Sequence, residues 1–314
     1  MSIPTAATTT NRFSPIQPRF LAFVFFIAGL VGAFAIPLAS LAIRAAGSDL
    51  DSYILLVPLV SAYLIYLRWR SLPNEYSFSP IWAMISVAAG FFALLAAWDP
   101  GVFGRAWSQH DYLMLMALSF VCFLLAGGFL FLGRKWMAAA TFPFAFLFLM
   151  VPLPDRAADF LETVSKLASA EAANLFFNMS GTPVLRDGVV FQLPAITIQV
   201  AQECSGIRSS LVLFITSLVA ANLFLKNPWR RTVLVAAVIP LGIVRNGLRI
   251  VFIGLLCTHI GPEMIHSVFH RRGGPPFFVL SLVPLFLLLW WLRRGEVGKA
   301  HGAKEDNLKR MRSV

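Results

Sequence analysis

Residues 232–257 read TVLVAAVIPLGIVRNGLRIVFIGLLC. The run holds no carboxylate, and its only cations are Arg245 and Arg249. A hydrocarbon core of about 30 Å takes roughly 20 apolar residues per helix, so this stretch reads as a membrane span, and the span decides the fold. Working outward, seven more runs have the same character, giving eight expected spans near 20–43, 53–67, 81–98, 112–133, 136–152, 205–225, 232–258 and 277–292. The second and the last are short. Tyr53, Tyr63, Tyr66 and Trp69 around one, and Trp290 and Trp291 at the other, read as interfacial aromatic belts.

Composition agrees. Of 314 residues, 58% are hydrophobic and 13% charged, against about 25% charged in a soluble domain. The mean hydropathy is +0.75. So few charges cannot cover a soluble globule, and the expected fold is an all-α polytopic membrane protein. The residues before Phe20 show no separate cleavable signal, so the first run is expected to be a retained helix.

The net charge of +11 then becomes a question of topology. With the N-terminus inside, the inner segments carry 16 of the 26 Lys and Arg and the outer segments 7, while 11 of the 15 acidic residues fall outside. This is the positive-inside pattern. It places both termini in the cytoplasm and excludes nucleic acid as the reason for the charge; the lipid bilayer is the partner that the charge addresses. The organisation expected is a cytoplasmic tail at 1–19, an eight-helix membrane domain at 20–292 and a basic cytoplasmic tail at 293–314.

One outer segment, 153–204, is far longer than the other loops, which marks it as structured or functional. Its first half, Asp155 to Asn178, spaces Ala158, Leu161, Val164, Leu167, Leu175 and Phe176 by threes and fours, predicting an amphipathic helix at the interface. The second half, GTPVLRDGVVFQLPAITIQVAQ, reads as short strands, a β-hairpin with turn signals at Arg186-Asp187-Gly188 and at Pro194.

That segment ends at Glu203-Cys204, just where the sixth span starts. Ser205 or Cys204 can cap the helix. The thiol would then sit at the positive end of the helix dipole beside unpaired backbone N–H groups, with Arg208 one turn on, and both features favour a thiolate. Glu203 opposes them. In the seventh span Arg245 and Arg249 lie four apart on one face with Asn246 between them. Arg249 is nine residues from the outer end, roughly 14 Å of helix, and an arginine at such depth implies function unless it ties helices together. Beyond this span, THIGPEMIHSVFHRRGGPP carries His259, His266 and His270 with Glu263. An imidazole there can donate and accept protons near neutral pH.

A thiol, guanidinium groups and imidazoles thus converge on one leaflet. The set suits acyl transfer: a thiolate attacks a carbonyl, Arg stabilises the oxyanion, and His handles the leaving-group proton. Two other classes remain open. One is a transporter or flippase that binds an anionic substrate through Arg245 and Arg249. The other is a metal-dependent membrane hydrolase using His259, Glu263, His266 and His270. The acyl-transfer reading needs no metal and no cofactor. Cys204 and Cys257 could pair on an oxidising face; with Cys122 the chain has three cysteines, too few for a disulfide framework.

The sequence resembles the exosortase/archaeosortase family of multipass cysteine transpeptidases. Three local patterns carry the likeness: Cys204-Ser205-Gly206-Ile207-Arg208-Ser209, Asn246-Gly247-Leu248-Arg249, and His270 with Gly274 and Phe278 in an H-x3-G-x3-F spacing. The resemblance covers about 20–292. It implies that Cys204 is the nucleophile, Arg249 the essential arginine and His270 the histidine, with His266 as its competitor. Arg208, Asn246, Arg245 and Ser205 would support them. It further implies membrane-anchored protein substrates bearing a C-terminal sorting signal of the Pro-Glu-Pro kind, cleaved on the outer side of the cytoplasmic (inner) membrane. The new C-terminus would pass to an acceptor such as a glycan or lipid.

Overall fold

The computed structural model describes residues 18–48, 51–73, 77–98, 107–194, 196–200, 206–261, 263 and 274–312, with side chains in the last helix described for 276–296. The chain forms two compact units, Met1–Pro154 and Asp155–Val314.

The first unit runs α1 (Pro18–Ala33), α2 (Ala35–Gly47), a 3-10 turn (Ser52–Leu56), α3 (Val57–Arg68), α4 (Pro80–Trp98), α5 (Gln109–Gly127), α6 (Arg134–Ala139), α7 (Thr141–Phe146) and a 3-10 turn (Leu147–Met150). α4 and α5 form a hairpin. Trp107 Nε1 donates to the Ala96 carbonyl at 2.8 Å, and Ser119 Oγ to the Gly90 carbonyl at 2.9 Å. α5 contributes eleven buried residues and is the spine of this unit. Phe34 packs on it, with ring centroids 5.8 Å from Phe120 and 6.1 Å from Phe123. Tyr53 is buried rather than part of an interfacial belt, while Tyr63, Tyr66 and Trp69 are exposed.

The second unit runs α8 (Asp155–Met179), β1 (Leu185–Asp187), β2 (Val190–Gln192), β3 (Thr197–Gln199), α9 (Ile207–Phe224), α10 (Pro228–Ala236), α11 (Val238–His259) and α12 (Gly274–Arg312). The amphipathic helix thus stands where its spacing placed it. The strands make a three-stranded antiparallel sheet in the order β1-β2-β3, with Arg186 opposite Phe191 and Phe191 opposite Ile198. A hairpin alone was expected; the third strand comes from ITIQ, folded back after the turn at Pro194. The first turn is Gly188-Val189, one step later than the Arg186-Asp187-Gly188 signal, with Gly188 at φ +58°, the position at which a type II′ hairpin takes glycine.

Among the described residues, six helices are long and apolar enough to cross a bilayer: Ser52–Ser71, Pro80–Trp98, Gln109–Leu132, Ile207–Phe224, Pro228–His259 and Pro276–Glu296. A seventh appears if Pro18–Ala33 and Ala35–Gly47, bent by 74°, count as one span. This is an all-α polytopic membrane protein. The expected span at 136–152 is broken into α6, α7 and a 3-10 turn. Three helix breaks share one cause. Phe34 (φ −100°, ψ 16°), Ala140 (φ −102°, ψ 20°) and Ala237 (φ −62°, ψ −18°) each interrupt a helix three residues before a proline, namely Pro37, Pro143 and Pro240. Proline lacks the N–H that would bond to residue i−4, and its ring crowds that carbonyl, so the turn ahead of it opens.

α11 belongs to two cores. Its first residues join Leu213, Ala220, Ala221, Leu225, Leu234, Leu285 and Leu289 through Val238. Its second half supplies Ile250 and Val251 to a core with Ala170, Ala173 and Phe177 of α8 and Phe191 and Leu193 of the sheet region. Phe177 and Phe191 are fully buried, with ring centroids 5.5 Å apart; each contributes about 1.5–3 kcal/mol by leaving water. Small residues allow the approach: a Cβ on Gly247 would lie 2.8 Å from Ala172 Cβ, and one on Gly254 2.7 Å from Phe177.

Candidate active site

α9 and α11 meet at Gly206, the residue that opens α9. Gly206, the residue before α9, has φ +72° and ψ 4° and makes no side-chain cap. A Cβ there would stand 2.8 Å from Asn246 Cγ, and four residues on a Cβ at Gly242 would stand 2.6 Å from Ser210 Oγ. Gly206 thus faces Asn246 while Ser210 faces Gly242, so the two helices run antiparallel. Glycine is needed at 206 for its left-handed backbone as well as for this contact. The expectation that Ser205 or Cys204 caps α9 is corrected: Gly206 holds the N-cap position.

The Gly206 carbonyl is a hub. It accepts from Ser210 N at 3.0 Å, from Ser209 Oγ at 3.2 Å and from Arg245 Nη2 at 2.9 Å. Arg245 Nη2 also lies 3.2 Å from Ser210 Oγ. Arg245 and Asn246 are buried, Arg249 half-buried and Arg208 exposed. Arg249 lies close enough to both Arg208 and Arg245 for their charges to interact. Three guanidinium groups therefore share the start of α9. Arg245 Nη1 is buried and has no hydrogen-bond partner among the described residues. Chemically this end of the unit offers N–H donors in a water-poor setting, where charge-assisted hydrogen bonds to an oxyanion or carboxylate are strong.

The end of α11 at His259 fixes how far along the helix Arg249 stands. Pro228–His259 spans 32 residues, about 48 Å at 1.5 Å per residue, well over the roughly 30 Å of a hydrocarbon core. Because Gly206 is level with Asn246, the surplus, residues 247–259, extends past the start of α9 and packs on α8 and the sheet. Arg249 stands ten residues before His259, about 15 Å of helix, and one turn past the level of Gly206.

Glu203, Cys204, Ser205, His266 and His270 lie outside the described residues. Their chain neighbours are placed: Cys204 precedes Gly206 by two, and Gly274, four residues after His270, starts α12, where Phe278 packs on the α9–α12 core. His259 is exposed at the end of α11, its Nδ1 2.9 Å from the Leu255 carbonyl, and Glu263 is exposed. Among the described residues no three His, Cys, Asp or Glu side chains gather as metal ligands; the metal alternative depends on His266 and His270. Cys257 is fully buried, and its suggested pairing with Cys204 lies outside the described residues.

Sequence reading missed the parts played by Gly206 and Ser210, though Ser210 and Gly242 form a small-residue contact that flanks Arg245. It also passed over a buried pair in the first unit. His110 Nε2 is 2.8 Å from the Leu153 carbonyl and Nδ1 is 3.9 Å from Asp51 Oδ2, with both side chains 7% exposed.

No curated protein and no solved structure matches the chain. A family model described as transmembrane exosortase matches residues 43–287, a stretch that takes in the α9–α11 crossing and the Cys204, Arg249 and His270 patterns, and the chain belongs to the transmembrane exosortase family.

Proposed function

We propose that this protein is a membrane-embedded cysteine transpeptidase that cleaves C-terminal sorting signals of exported, membrane-anchored proteins through a thioester on Cys204. The observation that carries the reading is the convergence at one end of α9. The chain leaves Gly206 toward Cys204 at the place where Arg208, Arg245 and Arg249 gather, within a region matched to the exosortase family.

In this reading the Cys204 thiolate attacks the scissile carbonyl carbon and the carbonyl oxygen becomes an oxyanion, to which Arg249 donates N–H groups. Collapse breaks the C–N bond, and the leaving amine takes a proton from His270, or from His266 if that is the histidine in place. An acceptor amine or hydroxyl of a glycan or lipid, or water, then attacks the thioester, gives its proton to the imidazole and expels the thiolate. The substrate's own transmembrane helix would fix the depth of the scissile bond, supplying proximity before chemistry. The site would face the exterior of the cytoplasmic membrane, as the distribution of Lys and Arg among the loops supports.

The test is co-expression with a tagged membrane substrate carrying a C-terminal sorting signal, followed as processed product. Cys204→Ala and Arg249→Ala should lower the rate by at least about a thousandfold, and one of His266→Ala and His270→Ala should do the same. Equal processing by all four variants would refute the assignment. Full activity in Cys204→Ala, with loss in both Arg245→Ala and Arg249→Ala, would favour the anion-transport reading instead.

A further inference from the structure

Cys204 lies two residues ahead of Gly206, so its Cα can stand at most about 7 Å from the Gly206 Cα. The direction in which the chain leaves Gly206 therefore sets where the thiol can be. That direction depends on a left-handed glycine whose carbonyl is held by three donors. Ser210 N and Ser209 Oγ belong to α9 itself. Arg245 comes from α11, and it ties the beginning of α9 to the helix that also carries Asn246 and Arg249.

The tie is unusual for an arginine. Arg245 is 6% exposed, and among the described residues its hydrogen-bond acceptors are a carbonyl and a hydroxyl, both neutral, at 2.9 and 3.2 Å from one nitrogen. A buried guanidinium held by neutral acceptors retains its net positive charge, and here that charge adds to the positive end of the α9 dipole. Both favour a thiolate in the segment just ahead. A planar fork of donors can hold two acceptors at once in fixed geometry, whereas a lysine ammonium acts as a point charge on a flexible stem.

We propose that Arg245 is the positioning residue for Cys204: by holding the Gly206 carbonyl and Ser210 Oγ it fixes how the Cys204 segment joins α9, and its charge lowers the proton affinity of the thiol. This rests on Cys204 being the nucleophile. In this role Arg245 acts through Gly206 and the thiol, not on the reacting carbonyl or the leaving group, which is the part given to Arg249.

The experiment uses the full-length protein in detergent and reads two quantities. One is kcat and KM for processing of the tagged membrane substrate. The other is the rate of iodoacetamide alkylation at Cys204, followed by peptide mass spectrometry across a pH series. Arg208, Arg249 and Glu203 stay unchanged throughout. Arg245→Gln should lower kcat by about 10- to 100-fold with KM changed less than about twofold, and should move the alkylation midpoint to higher pH. Arg245→Lys should return that midpoint toward wild type while kcat stays reduced, because the charge is restored and the two-acceptor geometry is not. Normal kcat and a normal alkylation profile in Arg245→Gln overturn the proposal. So does a loss of kcat shared by both variants with no movement of the midpoint. If Arg245→Gln does not yield folded protein, Arg245→Lys alone decides by its lowered or unchanged kcat. Processing by Cys204→Ala defeats the underlying nucleophile reading; an inactive Cys204→Ala beside a normal Arg245→Gln defeats this inference only.

Discussion

The two ends of the α9 helix are both held by side chains from neighbouring helices, and they are held differently. At the Phe224 end a carboxylate does the work. Glu296 of α12 accepts from Lys226 N at 3.0 Å and from Asn227 N at 2.8 Å, and Asn227 Oδ1 caps α10 through Trp229 N at 3.0 Å. Arg231 Nε bonds the Leu225 carbonyl at 2.8 Å, Arg230 bonds the Leu292 carbonyl, and Arg294 stacks on Trp290 at 3.7 Å. At the Gly206 end a guanidinium is the anchor, and among the described residues its acceptors are neutral and one of its nitrogens is left over. A helix end built for stability alone has reason to look like the first. A buried cation with no carboxylate partner among the described residues costs desolvation energy, and the Gly206 end bears that cost two residues from the candidate nucleophile.

The sharpest way to break this contrast is Gly206→Ala. The added methyl meets Asn246 Cγ at 2.8 Å and must also adopt φ +72°, a strain of about 1–3 kcal/mol. Processing should fall about a hundredfold in protein that still folds, checked by substrate turnover per monodisperse molecule in size-exclusion chromatography. If Gly206→Ala turns over normally, the start of α9 is not under the constraint described.

Glu296→Gln tests the opposite end and should do the reverse. It weakens the bonds to two backbone N–H groups at the α9–α10 turn and should cost about 1 kcal/mol of stability, as the loss of a helix cap does. Turnover per folded molecule should stay at the wild-type value. A thermal melt in detergent reads the first and the processing assay the second; a fall in turnover with an unchanged melt would erase the functional distinction between the ends.

Much of the fold was legible because it depends on local composition. Apolar runs located six of the eight expected spans as helical stretches of membrane length, and three- and four-residue spacing placed α8 from Asp155. The breaks at Phe34, Ala140 and Ala237 were also present locally, as Pro37, Pro143 and Pro240, but hydropathy windows are blind to a residue that acts through the hydrogen bond it lacks. The third strand was hidden because ITIQ is too short to alternate convincingly and becomes a strand only by pairing with β2. At the site, the residue types and their order could be read. The N-cap at Gly206 and the hold of Arg245 on its carbonyl could not, since each depends on which α9 residue stands opposite which α11 residue. His110 was missed because Asp51 and Leu153, its neighbours in space, are 59 and 43 positions from it in sequence.

Another arginine, in the sheet, sharpens the contrast with the smallest expected effect. Arg186 on β1 makes a bidentate pair with Glu171 on α8, at 2.8 and 2.6 Å, tying the sheet to the helix. This arginine does have a carboxylate, but the carboxylate is exposed, so water and salt screen the attraction and the pair contributes little. The hydrogen bonds from Arg186, with its charge, hold the Glu171 carboxyl below its ordinary value of 4.5. A depressed carboxyl stabilises the fold above its unfolded-state pKa, and that contribution is lost as pH falls through the folded-state value. Wild type should therefore melt slightly higher than Glu171→Gln at neutral pH and low salt, and the gap should close both on acidification below pH 4.5 and on adding salt at neutral pH. Processing should be the same in both proteins. A gap that persisted in acid or in high salt would mean that Glu171 acts through packing rather than charge, and a loss of turnover would make the sheet-to-helix tie part of the functional end of α9.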